Sequence, residues 1–122
     1  MSPRARRNVP GLGVEVLETS PGRFEVRGAL TFATARRARE AGLRAFEASG
    51  AQRLSIGCGG VTAADSAGLA VLLDWLAFAR RKGREMRFTE IPSEIRAVAR
   101  ISEVEPLLEG TAAAPRDGAS GS

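Results

Sequence analysis

A carboxylate and a hydroxyl stand side by side at Asp65-Ser66, immediately ahead of a leucine-rich run. That spacing puts both side chains where a helix starts, and a helix start leaves backbone N–H groups without partners. Asp65 or Ser66 would accept hydrogen bonds from them. A hydroxyl there also sits in the positive field of the helix N-terminus, which favours a phosphate or another anionic group. Gly68, with no Cβ, lets another backbone or a partner come close to the first turn.

Other chemistry is thinly provided. The 122 residues include no histidine, so the usual general base and the commonest metal ligand are missing. Cys58 is the single cysteine, which rules out an intrachain disulfide and suits a reducing compartment. Ser-His-Asp and Cys-His sites are excluded, and no second cysteine supports a zinc site. The carboxylates form no recognisable acid-base pair. The chain therefore reads as a non-enzyme with no catalytic residue, no cofactor and no metal.

Its size and composition describe one ordinary domain. A 43% hydrophobic content fills one core at this length, and 26% charged residues is the usual share for a globular protein. The formal net charge is +4, and part of the excess lies in Arg4, Arg6 and Arg7. Such a cluster attracts phosphate or anionic lipid, but with no nucleic-acid motif elsewhere it reads as a solvated tail. No apolar run follows these arginines as a secretory signal would require. The longest apolar stretch, Ala67 to Ala79, is interrupted by Asp74 and falls short of the roughly 20 residues that span a bilayer. A cytoplasmic protein is expected.

The elements that must position Asp65-Ser66 follow from periodicity. Val14 to Glu18 and Phe24 to Arg27 alternate as strands around a Ser20-Pro21-Gly22 turn, which predicts a hairpin. A helix follows, with Thr31 or Thr34 as N-cap. Ala35, Ala38, Gly42, Ala45 and Phe46 share one face of it, so it packs closely through small residues. Leu54-Ser55-Ile56 predicts a short strand, and Gly57-Cys58-Gly59-Gly60 a loop. The second helix runs from Asp65-Ser66 to Gly83 with Leu69, Leu72, Leu73 and Leu76 as its core stripe. Glu85 to Glu90 is a strand. Pro92-Ser93 opens a third helix with Ile95, Val98, Ala99 and Ser102 on one side, and Pro106-Leu107-Leu108 closes the domain. Residues 1–11 and 110–122 read as tails around a domain over 12–109. The order β-β-α-β-α-β-α implies a mixed sheet covered by helices.

Asp65-Ser66-Ala67-Gly68-Leu69 resembles the Asp-Ser/Thr-x-Gly-Leu signature of STAS domains, the family that includes bacterial anti-sigma factor antagonists. The similarity extends over roughly residues 13 to 109. It is closest to the MlaB-like branch, through Leu30-Thr31-Phe32-Ala33-Thr34-Ala35, Gly60 to Trp75, Gly83 to Phe88 and Ile91-Pro92 to Leu108. The resemblance implies an α/β STAS fold, a mixed four- to five-stranded sheet covered by about three helices. It also implies a subunit that binds and supports the MlaF-like ATPase of a phospholipid-transport ABC complex maintaining outer-membrane lipid asymmetry. Such a subunit is peripheral to the inner membrane only through that complex. The alternative is an antagonist switched by an anti-sigma factor kinase that phosphorylates Ser66.

On its own chemistry Ser66 is first a capping hydroxyl; the resemblance makes it a partner contact or phospho-acceptor. Asp65 is a cap, a contact or both, with Ala67, Thr31 and Thr34 as supporting contacts. Trp75 lies with Val71 and Phe78 on a second apolar stripe, roughly 140° from the leucines at about 100° per residue. That stripe must meet a flanking helix or a partner. Arg36, Arg37 and Arg44 are a solvated face or, at Arg36 above all, a partner contact. Cys58 reads as half-buried and inert.

Overall fold

A computed structural model describes residues 13–108; the tails expected over 1–11 and 110–122 lie outside them. Strands β1 (Val14–Ser20) and β2 (Arg23–Leu30) form the hairpin, followed by α1 (Ala35–Ala48), β3 (Arg53–Ala64) and α2 (Ser66–Arg81). Then come β4 (Glu85–Thr89), α3 (Ser93–Ile101) and the single turn α4 (Glu105–Leu108). The strands make one four-stranded sheet in the order β1-β2-β3-β4. β1 is antiparallel to β2, while β2, β3 and β4 run parallel. The C-terminal ends of those three strands therefore share one edge, and the loops into α1, α2 and α3 leave from it.

Alternation along the strands decides what is covered. Phe24, Val26 and Leu30 of β2, Leu54, Ile56 and Cys58 of β3, and Met86 and Phe88 of β4 point into the core. On the helices the buried positions are Ala38, Gly42 and Phe46 of α1 and Ile95 and Ala99 of α3. Val98 is only partly covered and Ser102 is exposed. Leu108 of α4 is buried, so the last turn does close the core.

The two stripes of α2 are both used. Leu69, Leu72 and Leu76 are buried, with Leu73 partly so, and Val71, Trp75 and Phe78 are buried on the flank. Trp75 is completely buried, so the partner-facing position considered for it does not hold: the indole belongs to the seam between α1 and α2. Its Nε1 donates to the Arg39 carbonyl of α1 at 3.3 Å. Its ring meets Phe46 edge-on at 5.3 Å, and Phe46 meets Phe24 edge-on at 5.1 Å. Each such pair is worth about 0.5–1.5 kcal/mol beyond its burial. A Cβ on Gly42 would collide with the indole, which explains why α1 presents small residues: what lies against it is a tryptophan.

β3 corrects the expectation of a short strand followed by a glycine loop. It continues through Gly57-Cys58-Gly59-Gly60 to Ala64, paired with β2 from Arg23↔Ser55 to Leu30↔Ala64. Low strand propensity is overridden by the pairing, which holds Gly57 against Glu25 and Gly60 against Arg27 while the register slips between them at Cys58-Gly59. The glycines answer to crowding: a Cβ on Gly60 would stand 2.9 Å from the Val26 carbonyl, and the Glu90 carboxylate lies over Gly59. Because the strand continues, Cys58 keeps the inward phase of Leu54 and Ile56. It is fully buried rather than half-buried.

Candidate functional site

Asp65 joins two loops at the shared strand edge. Its Oδ1 accepts the Ala67 N–H at 2.8 Å and caps α2. Its Oδ2 accepts the Phe32 N–H at 3.1 Å, across the β2–α1 connection. Its own N–H donates to the Leu30 carbonyl at 3.2 Å, so the end of β2 and the start of α2 are held together from both sides. Gly68 serves the same closure. A Cβ there would come within 2.8 Å of the Leu30 carbonyl oxygen and of Ile95 Cδ1, so the close approach it permits is made by this chain's own β2 and α3.

With the cap supplied by Asp65, Ser66 is released from it. Ser66 is the first residue of α2 and is exposed, and among the described residues its hydroxyl has no hydrogen-bond partner. Ala67, half-exposed beside it, contributes its backbone N–H to the cap.

Thr34 behaves differently from the expected contact. It occupies the N-cap position of α1 but makes no side-chain cap, and only 2% of it is exposed. Its Oγ1 donates to the Ala29 carbonyl at 2.7 Å and accepts the Thr31 N–H at 3.0 Å. Thr34 N–H returns a bond to the Thr31 carbonyl at 3.0 Å. Thr34 thus folds the connection from inside, where no partner reaches it. Thr31 is half-exposed at the same turn, and Arg36 is exposed in the first turn of α1.

One surface residue escaped the sequence reading. Phe32 is 85% exposed on the turn that Thr34 and Asp65 hold. The available signal was an aromatic residue inside a threonine-rich connection ahead of a helix start, where no core position is available. Cys58, by contrast, offers no chemistry: burial first, and then the negative charge of Glu90, push its thiol up to about 12. Among the described residues, no three potential metal-ligating side chains lie close enough together to hold an ion. No described helix is long and apolar enough to cross a membrane.

Several solved structures share the fold, among them the following two. The anti-sigma factor antagonist SpoIIAA in its unphosphorylated form superposes with a TM-score of 0.54 at 13% identity, over 73% of this chain and 83% of that one. A sulfate transporter family protein from Wolinella succinogenes gives 0.55 at 15% identity, over 77% of this chain and 75% of that one. No curated protein sequence matches this one. The family described as "Mlab, STAS domain" matches residues 16–109, which include most of the hairpin, the Asp65-Ser66 junction and all four described helices. The chain belongs to the STAS-domain family.

Proposed function

We propose that this chain is a non-catalytic STAS subunit that binds and supports the ATPase of an Mla-type phospholipid-transport ABC system. The observation that carries the reading is the free, exposed Ser66 hydroxyl on the first turn of α2, beside an aspartate that already does the capping. A hydroxyl with no structural duty, in the family's signature, is available for a partner. The description of the matching family as Mlab supports the transporter branch.

In this reading ATP is hydrolysed by the partner, and the STAS surface stabilises the ATPase by docking at the strand edge. Ser66 contributes a hydrogen bond in the desolvated contact, where an unpaired polar group on either side would be costly. The protein sits on the cytoplasmic side of the inner membrane through the complex and takes no cofactor. Co-expression with an MlaF-like ABC ATPase tests this: a one-to-one complex in size exclusion at micromolar concentrations is expected, and separate migration overturns it.

The exposure of Ser66 also favours a second reading, an antagonist phosphorylated there by an anti-sigma factor kinase. Incubating the chain with that kinase and ATP separates the two. A phosphate on Ser66 by mass spectrometry, together with no ATPase complex, would favour the antagonist.

A further inference from the structure

Isolated apolar side chains on a surface are ordinary. Phe32 differs from that background in how it is mounted. Its backbone N–H is bound by Asp65 Oδ2, and the turn around it is closed by the Thr34 hydroxyl on the Ala29 carbonyl and the Thr31 N–H. A ring 85% exposed is thus held on a connection whose polar groups are tied to the domain. Ile101 is almost as exposed, at 82%, but stands at the last residue of α3, whose first residue is the one that follows the shared strand edge.

The same carboxylate that holds Phe32 caps α2 at Ala67, so Asp65 links the Phe32 backbone directly to the turn that carries the free Ser66 hydroxyl, beside the Leu30↔Ala64 pairing of the strands. Asp65's negative charge is engaged by two N–H groups and by the helix N-terminus. The exposed charge nearest in sequence to Phe32 is the guanidinium of Arg36, in the first turn of α1. The surface therefore combines one aromatic ring on a braced backbone, one neutral hydroxyl and the nearby cation of Arg36.

We infer that Phe32 is the apolar anchor of the docking surface, and that it fits a socket on a partner protein lined by aliphatic side chains and edged by carboxylates facing Arg36. This rests on the proposed ATPase contact and adds its chemistry. A backbone already tied down does not have to be ordered on binding, and an aromatic side chain has only two torsions to fix, which suits such a residue to anchor an interface. A lone ring on a braced turn suits a shaped socket; a bilayer would draw on several inserted side chains and a broad basic face.

The test is titration of wild type, Phe32→Ala, Phe32→Leu and Arg36→Glu against the purified ATPase, with thermal melts of each variant. Phe32→Ala should weaken binding at least thirtyfold, the equivalent of about 2 kcal/mol, with its melting temperature unchanged. Phe32→Leu should recover part of the loss, and Arg36→Glu should weaken binding and reduce its sensitivity to salt. An ATPase that binds wild type and Phe32→Ala alike overturns the anchor and leaves the proposed function standing. Failure of wild type itself to bind overturns both. Co-flotation of wild type with anionic phospholipid vesicles, lost in Phe32→Ala while ATPase affinity is unchanged, would assign the ring to a membrane and overturn the socket.

Discussion

Asp65 and Phe32 are bound to each other across 33 residues of chain, carboxylate Oδ2 to backbone N–H at 3.1 Å. The bond turns a helix cap into a clamp, because the other oxygen of the same carboxylate closes the first turn of α2 at 2.8 Å. The exposed ring's backbone and the turn that carries the exposed hydroxyl are thus joined directly by one side chain.

Removing that side chain should show both roles. Asp65→Ala is expected to destabilise the domain by about 1–2 kcal/mol, the upper part of the range for a lost cap. Asp65→Asn keeps an acceptor for Ala67 and should recover most of the stability. Urea denaturation of the two variants checks this, and an Asp65→Ala midpoint equal to wild type would mean that the clamp carries no energy.

Ser66 should separate folding from binding. Ser66→Asp adds a negative charge at a helix N-terminus, where it is tolerated, so stability should move by about 1 kcal/mol or less. In a desolvated interface the same charge lacks a partner and should cost several kcal/mol of binding. Calorimetric melting beside titration of the ATPase measures both. A large drop in melting temperature would make the residue structural.

The α1–α2 seam gives a stability test with a built-in control. Leu72→Ala should cost about 2–5 kcal/mol and Trp75→Ala about 3 kcal/mol or more, since both side chains are fully buried. Gly42→Ala should cost about 1–3 kcal/mol because its methyl meets the indole. The Gly42→Ala and Trp75→Ala changes should be strongly non-additive when combined, because removing the ring makes room for the methyl. Additive losses in denaturant melts would contradict the contact.

Cys58 predicts a pH dependence. Its thiol is pushed up from 9.0 to about 12 in the fold, so the folded protein holds the proton more tightly than the unfolded chain. Its contribution is complete below about pH 9 and is lost progressively as pH rises from there through about 12. Stability should therefore fall more steeply above pH 9 in wild type than in Cys58→Ala. Native protein at pH 8 should resist thiol labelling until denaturant is added; prompt labelling without denaturant would contradict the burial.

Much of this architecture was legible in local patterns. Alternation in Phe24 to Arg27, and more loosely in Val14 to Glu18, around Pro21-Gly22 specifies a hairpin, and Leu69, Leu72 and Leu76 at helical spacing specify the buried side of α2. Asp65-Ser66 marked the helix start because capping is a local interaction, written within three residues. The STAS signature lies in the same short segment.

Other features are decided by neighbours distant in the chain, and no local pattern encodes them. Whether the glycines of β3 form a loop or a strand depends on β2, whose backbone supplies their partners. The choice for Trp75 between a partner and a helix flank was settled by Gly42, whose missing side chain leaves room for the indole against α1. Asp65 left Ser66 without a capping task by taking it up itself, and its second oxygen reached Phe32 only because β2 and β3 run parallel and end at one edge. The sequence by itself determined which residues prefer strand, helix and cap, since those preferences act over a few bonds. Only the tertiary structure decided which side chains are left facing outward, because exposure is what remains after every long-range contact has formed.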